Sequence, residues 1–88
     1  MTRLNICIPC VGLNTGKEFI RSVFTQCNIG NIERIDLVTG KDNSKAFVHF
    51  KTLFDNAQSR NVRDKLMRGE YIYVVYEKPW FWRCSKKR

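Results

Sequence analysis

Histidine is almost missing from this chain, one residue in 88, and acidic residues number eight against sixteen Lys and Arg. No second histidine, clustered carboxylate pair, nucleophile elbow or glycine-rich phosphate loop is present, so nothing assembles a catalytic centre. Gly40-Lys41 and Thr15-Gly16-Lys17 are too short for phosphate loops and lie where turns and caps explain them. The expectation is a protein that is not an enzyme and needs no cofactor. Long apolar runs are also absent: none approaches the roughly 18 to 20 residues that span a bilayer. The opening Met-Thr-Arg-Leu-Asn-Ile lacks the apolar core and cleavage site of a secretory signal. These absences predict an intracellular protein without a membrane partner.

The shortage of acid leaves a net charge of +8, which calls for an anionic partner. Lys78, Arg83, Lys86, Lys87 and Arg88 fall in the last eleven residues with no acid among them, so that end alone carries +5. They alternate with Trp80, Phe81 and Trp82, a mixture suited to stacking on bases and neutralising phosphates. The same rings would equally serve a chain of this length by folding back as extra core.

Four cysteines are present, two of them in Cys7-Ile8-Pro9-Cys10. A redox Cys-x-x-C opens a helix whose N-terminus stabilises the thiolate, whereas here Val11 to Asn14 intervene before any helix signal. The motif is also half of a tetrahedral zinc set. Its partner pair is missing: Cys27 reads as helix core, Cys84 is distant in sequence, and His49 stands by itself. Reduced thiols and no bound metal are expected.

Periodicity lays out the elements. Asn5 to Cys10 alternates as a first strand, with Pro9 near its end. Thr15 with Glu18 fits a capping box, and Phe19, Ile20, Val23, Phe24 and Cys27 form the stripe of a helix ending near Asn28 or Gly30. Asn31 to Val38 alternates again, with Ile35 and Leu37 inward and Arg34 and Asp36 outward. Turn residues from Thr39 to Ser44 then lead into Lys45 to Phe50, which should pair back as a hairpin. In that strand Ala46, Val48 and Phe50 face one side, and Lys45, Phe47 and His49 the other. Asp55 with Gln58 suggests a second cap, Val62 and Leu66 core contacts, and Gly69 a terminator. Tyr71 to Tyr76 is β-branched and aromatic, a last strand with Ile72 and Val74 on one face and Tyr71, Tyr73 and Val75 on the other. The predicted class is α+β, a ferredoxin-like βαββαβ domain over 1–77 with a four-stranded antiparallel sheet and two helices on one face. Residues 78–88 would be an aromatic and basic tail.

Over residues 4 to 77 the chain resembles the RNA recognition motif (RRM) family. Within the third-strand octapeptide of that family, Ala46, Phe47, Val48 and Phe50 match while Asn43, Ser44 and Lys45 depart. In the first-strand hexapeptide, Ile6 to Val11, the expected aromatic is Cys7. Of three base-stacking positions only Phe47 remains. More narrowly, Asn-Ile-Cys-Ile-Pro, Ile32 to Asp36, Phe47 to Phe50 and above all Pro79-Trp80-Phe81-Trp82 resemble small RRM-like proteins of giant nucleocytoplasmic DNA viruses. That likeness implies a host cytoplasm or viral factory location, or packaging in the virion.

Together, residues and resemblance predict a non-catalytic module for RNA or single-stranded DNA. Phe47, Tyr73 and Tyr71 would stack bases. Lys45, His49 and Arg34 would meet phosphates or base edges, and Lys78, Arg83, Lys86, Lys87 and Arg88 would hold the backbone. The alternative is a protein-interaction or virion-assembly module that docks a viral or host protein on Trp80, Phe81 and Trp82.

Overall fold

The computed structural model describes residues 4–86. Strand β1 (Leu4–Val11) leads to helix α1 (Lys17–Gln26), the hairpin β2 (Gly30–Thr39) and β3 (Ser44–Leu53), helix α2 (Ala57–Met67), and a second hairpin, β4 (Ile72–Glu77) and β5 (Trp80–Lys86). All five strands join one antiparallel sheet in the order β2-β3-β1-β5-β4.

The four-stranded expectation is corrected here, and with it the boundary at residue 77. Trp80 to Lys86 is no tail. Its apolar Trp82 and Cys84 alternate with Phe81, Arg83 and Ser85, the period of a half-buried strand. The turn at Lys78-Pro79, a cis peptide, folds this strand back on β4. β5 then takes the place beside β1, and β4 becomes an edge. Lys87 and Arg88 lie outside the described residues.

One face of the sheet makes the core. Leu4, Ile6, Ile8 and Val11 of β1, Ala46, Val48 and Phe50 of β3, Ile35, Ile72, Val74, Trp82 and Cys84 are all buried against Ile20 and Phe24 of α1 and Leu66 of α2. Burial of apolar surface is what a chain this small depends on, at about 25 cal/mol per Å². Trp82 is the largest contributor from the second hairpin. Only 4% exposed, it stacks on Tyr76 at 4.5 Å and lies parallel to Phe24 at 6.3 Å.

The caps differ from expectation by a residue or so. Gly16, not Thr15, is the N-cap of α1, and it has no side chain to cap with. Asn56, not Asp55, caps α2, its Oδ1 accepting the Ser59 N–H at 2.7 Å. Asn28 ends α1 at φ 57°, the left-handed conformation that Asn tolerates. Gly30 serves differently, inside β2. A Cβ there would stand 2.2 Å from the Thr52 carbonyl oxygen, so only glycine lets β2 lie this close to β3.

Candidate functional site

The second face of the sheet carries no helix. Strand alternation puts Arg34 and Asp36 of β2, Lys45, Phe47 and His49 of β3, Asn5 and Cys7 of β1, Phe81, Arg83 and Ser85 of β5, and Tyr73 and Val75 of β4 on it. The register sets Asp36, Phe47, Cys7 and Ser85 side by side in one row. Folding the last residues into the sheet, instead of across it, is what leaves this face open among the described residues.

Two groups of side chains stand on it. Around Phe47 the face is mostly polar: the ring is half-buried between Asp36 and Cys7, with exposed Lys45 on the same strand. The β4–β5 hairpin carries the denser group. Tyr73, 62% exposed, meets Phe81, 54% exposed, edge to face at 5.4 Å. Beside them the Arg83 guanidinium lies 4.7 Å over the Tyr71 ring, an arrangement that fixes both groups while leaving them in solvent. Exposed Val75 pairs with Phe81.

The expected stacking residues are therefore divided. The sequence suggests Tyr71 and Tyr73 on the strand next to the sheet centre, but β1 and β5 both separate β4 from β3. At about 4.8 Å per strand that is some 14 Å, too far for one base to touch Phe47 and Tyr73. Phe81, assigned by sequence to protein docking, is the ring that joins Tyr73. Its signal was available in the alternation of Trp80 to Ser85, which sets Phe81 opposite Trp82.

His49 takes a structural place. It is 7% exposed, and its ring nitrogens lie 2.9 Å from Asn5 Oδ1 and 2.8 Å from Asp36 Oδ2. Both hydrogen-bonding directions of the imidazole are thus turned to the protein, tying β1, β3 and β2 together, and neither is left for a phosphate. Arg34 also turns to Asp36, at 3.3 Å. The His49 hydrogen bond, reinforced by the Arg34 charge, holds the Asp36 carboxyl below its ordinary 3.8. An acid whose folded value is depressed adds stability above its unfolded value and loses it as pH falls through the folded one. Between pH 5 and pH 2 the unfolding midpoint of Asp36→Asn is accordingly expected to fall less than that of the unaltered protein. Equal slopes in denaturant titrations across that range would count against the triad.

The other cations are free for an anion to differing degrees. Lys45 and Lys78 are exposed, the latter in the β4–β5 turn. Lys86 points its Nζ at the Met67 sulfur, 3.4 Å away. A thioether is a weak acceptor that leaves the ammonium charge uncompensated.

The cysteines show no shared site. Cys7 and Cys10 both sit in strand β1, away from any helix start, which removes the redox geometry. Burial pushes the Cys84 thiol, in the core, up to about 12, and raises that of half-buried Cys27 as well. No group of three His, Cys, Asp or Glu residues stands close enough to hold a metal among the described residues. Among the described residues no helix is long and apolar enough to cross a membrane.

With this geometry in hand the chain was compared with known proteins. No family model, curated protein or solved structure matches it.

Proposed function

We propose that the protein is a non-catalytic module for single-stranded nucleic acid, RNA in the first instance, and that its sheet face is the binding surface. The observation that carries this reading is the open face itself, where exposed Tyr71, Tyr73, Phe81 and Arg83 stand together on one hairpin. Rings offer sequence-tolerant stacking and the guanidinium a phosphate contact, in a chain of net charge +8. The architecture we read as a ferredoxin-like, RRM-type core: the sheet order β2-β3-β1-β5, with β5 as the fourth strand and β4 added outside it. Binding would then be shifted from the centre of the sheet toward the added hairpin, with Phe47 a separate, outlying contact.

The protein-docking alternative is weakened at one residue. Trp82 is buried in the core and has nothing to offer a partner, although Trp80 and Phe81 remain exposed.

Titration of short single-stranded RNA and DNA at several salt concentrations tests the proposal. Tyr73→Ala and Phe81→Ala should each weaken binding about tenfold, since a stacked base is worth about 1 to 3 kcal/mol. Arg83→Ala should also flatten the plot of log affinity against log salt by about 0.7, one phosphate's share on a single strand. Absence of binding near about 50 mM salt, or affinities unmoved by all three substitutions, would overturn it.

A further inference from the structure

The ladder between β1 and β5 stops early. Ile6 pairs with Lys86 and Cys7 with Ser85. Continuing that register would set Pro9 against Arg83 and Cys10 against Trp82, but the strands part at this point. Two properties of β1 account for it. Pro9 has no N–H to give to a neighbouring strand, and β1 shifts register against β3 between Ile8 and Val11, with the bend that such an irregularity brings. β5 meanwhile stays with β4, pairing Arg83 with Tyr73, Trp82 with Val74 and Phe81 with Val75. The sheet consequently opens into a wedge of about 350 Å³, with Pro9 and Cys10 on one side and Tyr76, Phe81, Trp82 and Arg83 on the other.

We propose that this wedge receives one unpaired nucleobase from the bound strand, an inference that rests on the single-strand reading above and adds to it a defined base pocket. One ring suits a flat occupant: Trp82, its two faces covered by Tyr76 and Phe24, closes the wedge as packed wall, and exposed Phe81 stands at the rim where a base can lie. The facing edges of β1 and β5 are not paired to each other beyond Cys7 and Ser85. Main-chain N–H and C=O groups on these edges that water satisfies in the free protein would want polar partners from an occupant that displaces it. A base has such an edge, in the way that splayed-out bases are read by hydrogen bonds while their faces stack. An aliphatic side chain has none, and would strip water from those groups at about 1 to 3 kcal/mol each. Arg83 belongs to the same wall, and its guanidinium would leave the Tyr71 ring to meet the phosphate that follows the base. The volume is at the small end of ligand pockets, about 300 to 1,000 Å³, enough for a base and too little for a helix.

Cys10 provides the readout, because it is the exposed thiol and lies in the wedge, while Cys84 is buried and Cys27 partly so. Alkylation by N-ethylmaleimide, followed residue by residue by mass spectrometry, should slow at Cys10 about tenfold or more under saturating short single-stranded RNA. One abasic position in that RNA should restore the rate and cost about tenfold in affinity, one stacked base. Cys10→Trp, which fills the wedge, should lose a similar factor on the intact RNA, keep the salt slope, and bind the abasic RNA as the unaltered protein does. If the unaltered protein binds RNA yet Cys10 reacts at the same rate with and without it, the wedge holds no base and the proposal is overturned while the sheet-face reading stands. If the unaltered protein binds no single strand at all, both fall. Should Cys10→Trp fail to fold, the alkylation rates alone decide.

Discussion

A chain ending at Glu77 is expected not to fold. The truncation removes β5, and with it Trp82 and Cys84 from the core. It also removes the strand with which β4 pairs among the described residues, so Ile72 and Val74 lose their position over the helices as well. Loss of a buried tryptophan alone costs about 3 to 5 kcal/mol, against a total stability of about 5 to 15 kcal/mol for a folded protein and less for a small domain. The unpaired edge of β1 would be exposed besides, an invitation to aggregation. Circular dichroism and thermal melting check the result: the full chain should melt cooperatively and the truncated one should show no transition. A truncated chain melting at the same midpoint would mean that Trp80–Lys86 is dispensable to the sheet.

Trp82→Ala should have the largest effect of any single substitution at the two tryptophans, destabilising by about 3 to 5 kcal/mol. Trp80→Ala should stay within about 0.5 kcal/mol, as surface changes do. The contrast follows from burial, 4% exposure for Trp82 against 61% for Trp80, and from the rings around Trp82: Phe19 edge-on at 6.1 Å, Phe24 and Tyr76 face to face. Aromatic pairs of this kind add about 0.5 to 1.5 kcal/mol beyond the area they bury. Urea titration followed by the remaining tryptophan in each variant measures both. Equal losses at the two positions would contradict the register of β5, which turns Trp82 toward the helices.

On the proposed nucleic-acid reading, these two substitutions bear on function as well as stability. The residue that holds the hairpin down, Trp82, alternates with the residues that it presents outward, Phe81 and Arg83. A variant at Trp82 that weakens nucleic-acid binding would do so by loosening the hairpin, and its melting curve would show it. Variants at Tyr73, Phe81 and Arg83 should change affinity with stability nearly intact, since all three are exposed.

Most elements were legible from the residues. The apolar stripe of α1, the alternation in β2 and β3, the turn between them, and Ile72 with Val74 on one face all depend on neighbours a few positions apart, and local periodicity reports such neighbours. Asn28 and Gly69 mark the helix ends as turn chemistry predicts, both with positive φ. The failures are of another kind. His49 alternates with the exposed side of its strand, yet Asn5, 44 residues away, and Asp36, 13 residues away, close over it. Trp80 to Lys86 has a plain strand pattern, but its density of cations and rings reads equally well as a tail.

By itself the sequence determined the class of protein: a small basic α+β chain, a core half and an outward half on each strand, and rings interleaved with cations near its end. Only the tertiary structure decided which strand lies beside which. Pairing partners are set by contacts across the whole chain and by the loop entropy spent to reach them, and no local pattern encodes them. That choice put β5 inside the sheet, moved Tyr71 and Tyr73 some 14 Å from Phe47, and opened the wedge at Pro9.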